Sequence, residues 1–141
     1  MKKLFTIAAL LLASMSASYA QNNDALYQAL GQKAGLTALM DDFMVRLMAD
    51  ARLQPFFKET NQANFKAQLA DQLCQVSGGP CAYKGADMKS SHGNMDINKT
   101  HFNALVEVLQ LSMDAKGIAF SAQNQLLARL APMNRDIITV K

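Results

Sequence analysis

The chain has 141 residues, enough for one domain of ordinary size and too few for two. Half of its residues are hydrophobic, and 14 Lys and Arg stand against 11 Asp and Glu with no basic block of five or six. That balance argues against nucleic acid as the main partner.

Lys2 and Lys3 followed by the apolar run Leu4 to Ala13 and by Ser18-Tyr19-Ala20 form the pattern of a secretory signal peptide, cleaved after Ala20. The run is too short to span a bilayer. Residues 1–20 are therefore read as a leader and residues 21–141 as one mature domain, with no membrane span after cleavage. Export is expected, to the periplasm in preference to full secretion. The residue directly after the cleavage site is Gln21 and not cysteine, which argues against a lipid anchor. Lys2 and Lys3 leave with the leader, so the mature excess of positive charge is a single unit.

The mature chain reads as helices throughout. Asn22 to Tyr27 opens a short helix, with Asp24 as cap and Gly31 as stop. Leu36, Leu39, Met40, Phe43 and Leu47 recur every three or four residues and predict a helix from Leu36 to Met48. Asp50 to Pro55 breaks it, and Phe56-Phe57 fall in the turn. Thr60 or Asn61 caps the next helix, whose stripe is Phe65, Leu69, Leu73 and Val76 and which Gly78-Gly79-Pro80 ends. From Ser77 to Asp96 apolar periodicity is lost, and one helical turn fits around Ala86 to Ser91. A loop this long inside a small domain is uncommon and usually functional or disordered. A third stripe, Phe102, Leu105, Leu109 and Met113, follows Asp96 and Asn98 and closes at Gly117. Ser121 caps a last helix bearing Leu126, Leu127, Leu130 and Ile137, which Pro132 kinks or ends. No window alternates as a strand does, so the class is all-α.

Chemistry is sparse. There are two cysteines, Cys74 and Cys81, and in an exported chain they suggest a disulfide around Gly78-Gly79-Pro80, free buried thiols being the alternative. Their spacing fits neither a CxxC redox pair nor a CxxCH haem attachment. His92 and His101 are nine apart, the wrong interval for an HExxH-type metal site. No GxSxG elbow or phosphate loop is present. Asp41-Asp42 look like solvated charge on an outer helix face. One chemistry needs a single histidine in an apolar surround, the ligation of haem iron. His92, in the irregular segment between helices rich in Phe, Leu and Met, is placed for it. A lone histidine is nevertheless more often a surface or satisfied core residue.

The pieces Leu26-Tyr27-Gln28-Ala29-Leu30-Gly31, Asp42-Phe43, Ala49-Asp50, Leu53-x-x-Phe56-Phe57, Thr60-Asn61, Gly78-Gly79-Pro80, Tyr83-x-Gly85, Met88-Lys89-x-x-His92, Ile97, His101-Phe102 and Ala131-Pro132 occur in that order. In their order and spacing the chain resembles a group I truncated haemoglobin from Leu26 to about Thr139. The resemblance implies a two-over-two helical sandwich around non-covalent haem b. It places His92 on the proximal iron ligand and Phe57 against the haem. Met88, Ile97, Phe102, Leu105, Leu126 and Leu130 fall on pocket walls, Leu126 and Leu130 serving equally well as ordinary core. Thr60 and Tyr83 fall near the propionates, with Lys66 a further candidate. His101 aligns with a position that is not a ligand and reads as structural.

The resemblance departs on the distal side. The family often sets a tyrosine and a glutamine there to hydrogen-bond the gas. Here those positions read Met44 and Leu69, the gate position beside them reads Phe65, and Gln68 and Gln72 lie about a turn away. Losing a charge-assisted bond of roughly 1–3 kcal/mol would speed oxygen release on the order of tenfold to a hundredfold. Uncharged carbon monoxide and nitric oxide would lose less. The expected function is therefore reversible binding of a diatomic gas at His92-ligated iron. Oxygen binding or transport, or nitric oxide detoxification, is the family role. Nitric oxide dioxygenation would need stabilised oxygen and a reductase, which suits an exported chain without distal donors poorly; enzyme status stays open. Two alternatives are a six-coordinate haem protein for electron transfer or haem handling, with Lys66 or Met44 as second ligand, and a helical binding module that has lost haem. The expected oligomeric state is a monomer or weak dimer.

Overall fold

The computed structural model describes residues 23–140, and among them the chain is all-helical. The predicted leader lies outside the described residues.

Helix α1 (Ala25–Ala29) is joined to α2 (Gln32–Ala49) by Gly31, whose positive φ of 78° lets the chain turn directly into the second helix. Gly31 therefore both stops one helix and starts the next, and α2 begins a full turn before the predicted Leu36. Asp24 occupies the cap position, but its carboxylate accepts from the Gln28 side chain and not from a backbone N–H. Leu36, Leu39, Met40, Phe43 and Leu47 are all buried along one face of α2, as the spacing predicts. Pro55 does not merely break the chain. It sits in the first turn of the short α3 (Gln54–Phe57), where its missing N–H costs nothing.

Of the two cap candidates for α4 (Gln62–Val76), Asn61 does the work, its side chain accepting from the N–H of Asn64 at 3.0 Å. The helix ends as the glycines predict. Gly79 N–H donates to the Cys74 carbonyl, Gly78 N–H donates to the Gln75 carbonyl, and Gly78 takes φ 88°. A side chain at Gly78 would collide with the carbonyl of Asn23, and one at Gly79 with the Tyr27 ring. A disulfide joins Cys74 to Cys81 across this corner, with Cα atoms 5.7 Å apart.

The long irregular segment contains one short helix, α5 (Met88–His92), close to the predicted turn and capped by Asp87. Helix α6 (Lys99–Ala115) starts at a reciprocal capping box. Asn98 accepts from the His101 N–H at 2.9 Å, and His101 Nδ1 accepts from the Asn98 N–H at 3.3 Å. It closes at Gly117 (φ 66°), where Ile118 N–H donates back to the Met113 carbonyl. Helix α7 (Phe120–Leu130) has Ala119 and not the predicted Ser121 as its cap, because the Ala119 carbonyl already accepts from Ala122 and Gln123; Ser121 lies inside the first turn. Pro132 ends α7 in a 3₁₀ turn (Ala131–Met133), and the last turn, α8 (Asn134–Ile137), follows.

Helix α2 packs on α4, and α6 packs on α7. The two pairs close on each other through α2 against α6 and α4 against α7, giving a two-over-two sandwich. The core runs through Leu36, Met40, Phe43, Leu73, Met113 and Leu126. Helix α8 packs against α5, and the tail beyond it is tied down. Thr139 Oγ1 accepts from the Ile97 N–H at 3.0 Å, and the N–H groups of Thr139 and Val140 donate to the Ile97 carbonyl. The segment carrying His92 is thus held from the C-terminal end of the chain.

Candidate haem site

Several apolar residues on the helix stripes are only half-buried: Phe65 and Leu69 on α4, Phe102 and Leu105 on α6, Leu127 and Leu130 on α7. All six line a single cavity of about 390 Å³, within the range of ~300–1,000 Å³ usual for small-molecule sites. Phe57 and Phe65 meet on its wall with ring centroids 5.2 Å apart. Met88, Met95, Ile97, Met133 and Ile137 complete the side formed by α5 and α8.

His92 enters this cavity from the end of α5. Its Nδ1 lies 2.7 Å from the Met88 carbonyl oxygen and 2.9 Å from Ser91 Oγ. A carbonyl can only accept, so Nδ1 carries the proton, and in the neutral ring Nε2 is then the nitrogen with the lone pair. This is the state a metal-ligating imidazole needs, with its other nitrogen oriented by a second hydrogen bond. Asp87 positions the turn that carries it. The Ser90 N–H and hydroxyl both donate to the Asp87 carboxylate, at 2.9 and 2.7 Å, and hold its pKa below the usual carboxylate value. The Ser91 hydroxyl donates to the Asp87 backbone carbonyl at 2.8 Å.

His101 also lines the cavity, but its chemistry is the opposite. Its Nδ1 accepts the Asn98 N–H, which leaves the neutral ring's proton on Nε2, and its ring packs edge-on to Phe56 with centroids 4.8 Å apart. A ring so placed serves as a helix cap.

The structure brings most of the expected site residues together. His92, Phe57, Thr60, Phe65, Gln68, Leu69, Gln72, Tyr83, Met88, Ile97, Phe102, Leu105 and Leu130 all line the cavity. Three others stand elsewhere. Leu126 is fully buried in the core between the helix pairs, and its neighbour Leu127 takes the wall. Met44 is packed in the core, and the adjacent Phe43 faces the cavity. Lys66 donates to Asp41 at 2.6 Å, holding α4 to α2, and does not line the cavity. The wall residues that sequence reasoning missed include Met95, Val106 and Met133. Met95 lies in an aperiodic loop and Met133 in the 3₁₀ turn, where no stripe could flag them. Val106 sits beside Leu105, off the chosen face by one residue.

An apolar slot, walled by two helix pairs and entered by a histidine whose Nδ1 is turned to a carbonyl, defines a haem-binding globin of the two-over-two class. Residues 25–139 match the family model of the bacterial-like globin, and the chain belongs to that family. It is 30% identical over 114 residues to the group 1 truncated hemoglobin GlbN of Mycolicibacterium paratuberculosis, covering 81% of this chain and 84% of that protein. It is 28% identical over 113 residues to the group 1 truncated hemoglobin of Tetrahymena pyriformis, covering 80% of this chain and 93% of that one. The Fe(III) crystal structure of the Tetrahymena truncated hemoglobin superposes with a TM-score of 0.77 over 80% of this chain and 97% of its own. A 2/2 hemoglobin from Synechococcus, 23% identical, shares the fold with a TM-score of 0.76 over 82% of this chain and 98% of its own. The cofactor is haem b with its iron, and the donor set fits it: one oriented imidazole, apolar walls and no competing ligand cluster among the described residues.

Proposed function

We propose that this chain is an exported haem protein that reversibly binds a diatomic gas (oxygen, nitric oxide or carbon monoxide) at iron held by His92 Nε2. The observation that carries the reading is the 2.7 Å contact between His92 Nδ1 and the Met88 carbonyl, which favours the tautomer a ligating imidazole needs. Haem supplies the coordination position at which the gas is taken up and released. The chain's own residues do three things. Met88 and Ser91 orient the imidazole. Phe43, Phe57, Phe65, Leu69 and Leu105 exclude water from the slot. Gln68 and Gln72 are the amides on the α4 wall.

Those amides are weakly committed. Gln68 Nε2 reaches Asn64 Oδ1 at 3.5 Å, and Gln72 Nε2 faces the thioethers of Met88 and Met133 at 3.6 and 3.8 Å. Either can turn toward a gas, but no hydroxyl or amide is held rigidly for that purpose on α2. This favours gas binding and exchange over turnover of nitric oxide, which demands a firmly held polar ligand and an electron donor of its own. A six-coordinate role in electron transfer needs Met44 or Lys66 at the metal. The core packing of Met44 and the ion pair of Lys66 weigh against it. Export to the periplasm is supported by the leader-like residues 1–20 and by the Cys74–Cys81 disulfide, which suits an oxidising compartment.

The test is the absorption spectrum of the mature protein with haem supplied, as ferric, ferrous and ferrous plus carbon monoxide forms. A five-coordinate ferrous spectrum that shifts with carbon monoxide, and its loss in His92→Ala, is the expected result. A six-coordinate ferrous spectrum before any gas is added would establish an internal second ligand. Absence of haem uptake would overturn the reading.

A further inference from the structure

Two glutamines are buried among the described residues, and their amides meet acceptors of opposite quality. Gln123 Nε2 donates to the Asp114 carboxylate at 2.7 Å and to the Ile118 carbonyl at 2.9 Å, both strong acceptors. Gln72 Nε2 instead meets two thioethers, Met88 Sδ at 3.6 Å and Met133 Sδ at 3.8 Å. A thioether accepts weakly, so the N–H groups of this amide are taken out of water for little return.

Three separate elements build the cluster. Helix α4 supplies Gln72, α5 supplies Met88, and the 3₁₀ turn before α8 supplies Met133. All three line the cavity, and both methionines are half-buried, within reach of a small solute. Two further half-buried methionines lack this arrangement. Met95 lines the same cavity and Met48 lies on α2 away from it, and neither sulfur receives a side-chain donor among the described residues.

We propose that Met88 and Met133 form a peroxide-reactive modification site, with Gln72 as its positioning residue. A sulfur lone pair attacks one peroxide oxygen, the O–O bond breaks and an S–O bond forms. One thioether and one hydrogen peroxide give one sulfoxide and one water, the sulfur losing two electrons and the peroxide gaining two. The Gln72 N–H donates to the oxygen as it is transferred and then to the finished sulfoxide, a strong acceptor where the thioether was a weak one. Sulfoxide reductases reverse the change. An amide captured in this way no longer turns toward a gas. That consequence rests on the haem reading above, whereas the reaction at the sulfurs does not.

The experiment treats the haem-loaded ferric protein with limiting hydrogen peroxide, its iron held by cyanide so that the metal does not react. Peptide mass mapping then follows the gain of one oxygen at each methionine, in wild type and in Gln72→Leu. Met88 and Met133 should oxidise about fivefold faster than Met95 and Met48, the scale of one neutral hydrogen bond gained in the transition state. Gln72→Leu should bring them down to the rate of Met95 and leave Met95 and Met48 unchanged. Equal rates at the four methionines of wild type would overturn the proposal. So would fast oxidation of Met88 and Met133 that persists in Gln72→Leu, since exposure and not the amide would then set the rate. The pigment-free chain is mapped in parallel. Its showing the same selectivity while taking up no haem would overturn the haem reading and leave this site standing.

Discussion

His92 and His101 share a cavity but not a tautomer, and the difference comes from what each Nδ1 meets. One faces a carbonyl and must donate; the other faces a backbone N–H and must accept. The same residue-scale logic separates Phe43 from Met44. Both are buried on α2, yet only Phe43 reaches the cavity. Phe43→Tyr should therefore set a hydroxyl beside the gas and slow oxygen release about tenfold, with a much smaller change for carbon monoxide. Met44→Tyr should instead overpack the core and cost about 1–3 kcal/mol of unfolding free energy. Stopped-flow oxygen release and urea denaturation on the two variants separate these outcomes. A slower oxygen release in Met44→Tyr at unchanged stability would show that position 44, and not 43, faces the gas.

At the scale of elements, the short α5 is the least self-sufficient part of the fold, a single turn of five residues with no buried side chain of its own. It holds its place through Asp87 at its start and through contacts with α8. Because hydrogen bonds from Ser90 lower the Asp87 pKa, the folded state favours the ionised carboxylate. The stabilisation is complete above the unfolded value of about 3.9 and is lost as pH falls through the lowered folded value. Haem release from the wild type should accelerate as pH drops below about 4. Asp87→Asn keeps an acceptor at the cap without a charge to lose, so its release should depend less steeply on pH in that window. Identical acid limbs in the two proteins would remove Asp87 from the account.

Across the whole molecule, two ties restrain the segment between α4 and α6. The disulfide fastens its beginning to the last turn of α4, and the hydrogen bonds between Ile97 and Thr139 fasten its end to the C-terminal tail. Closing so short a loop removes less chain entropy than a long one, and opening it should cost about 2 kcal/mol. The double variant Cys74→Ser, Cys81→Ser should accordingly unfold at lower urea, with the slope of the transition nearly unchanged. Unaltered stability on removing both sulfurs would mean that the Gly78-Gly79 corner and its hydrogen bonds hold the turn unaided. Surface pairs such as Arg52–Glu107, exposed on both sides, add no more than about 1 kcal/mol.

Much of this was legible in the sequence. The stripe Leu36, Leu39, Met40, Phe43, Leu47 specifies a buried helix face because burial follows the helical period, and Gly78-Gly79 and Gly117 mark helix ends because only glycine enters left-handed backbone without strain. The loss of periodicity from Ser77 to Asp96 marked the segment that carries the histidine. Periodicity alone does not distinguish a residue that faces a core from one that faces a slot, since both are apolar. That distinction needed the packing of α2 and α4 against α6 and α7, which leaves Phe65, Leu69, Phe102 and Leu105 half-buried around a cavity and closes over Leu126 and Met44. Long-range pairing was equally hidden. Lys66 meets Asp41 and Lys33 meets Asp71 only because two helices distant in sequence lie side by side. Residue type and spacing thus determined the helices and marked the irregular segment that carries His92, whose role as iron ligand came from the family resemblance. Tertiary packing decided which side chains surround it and which close into the core, because contacts between helices depend on crossing geometry that no local pattern encodes.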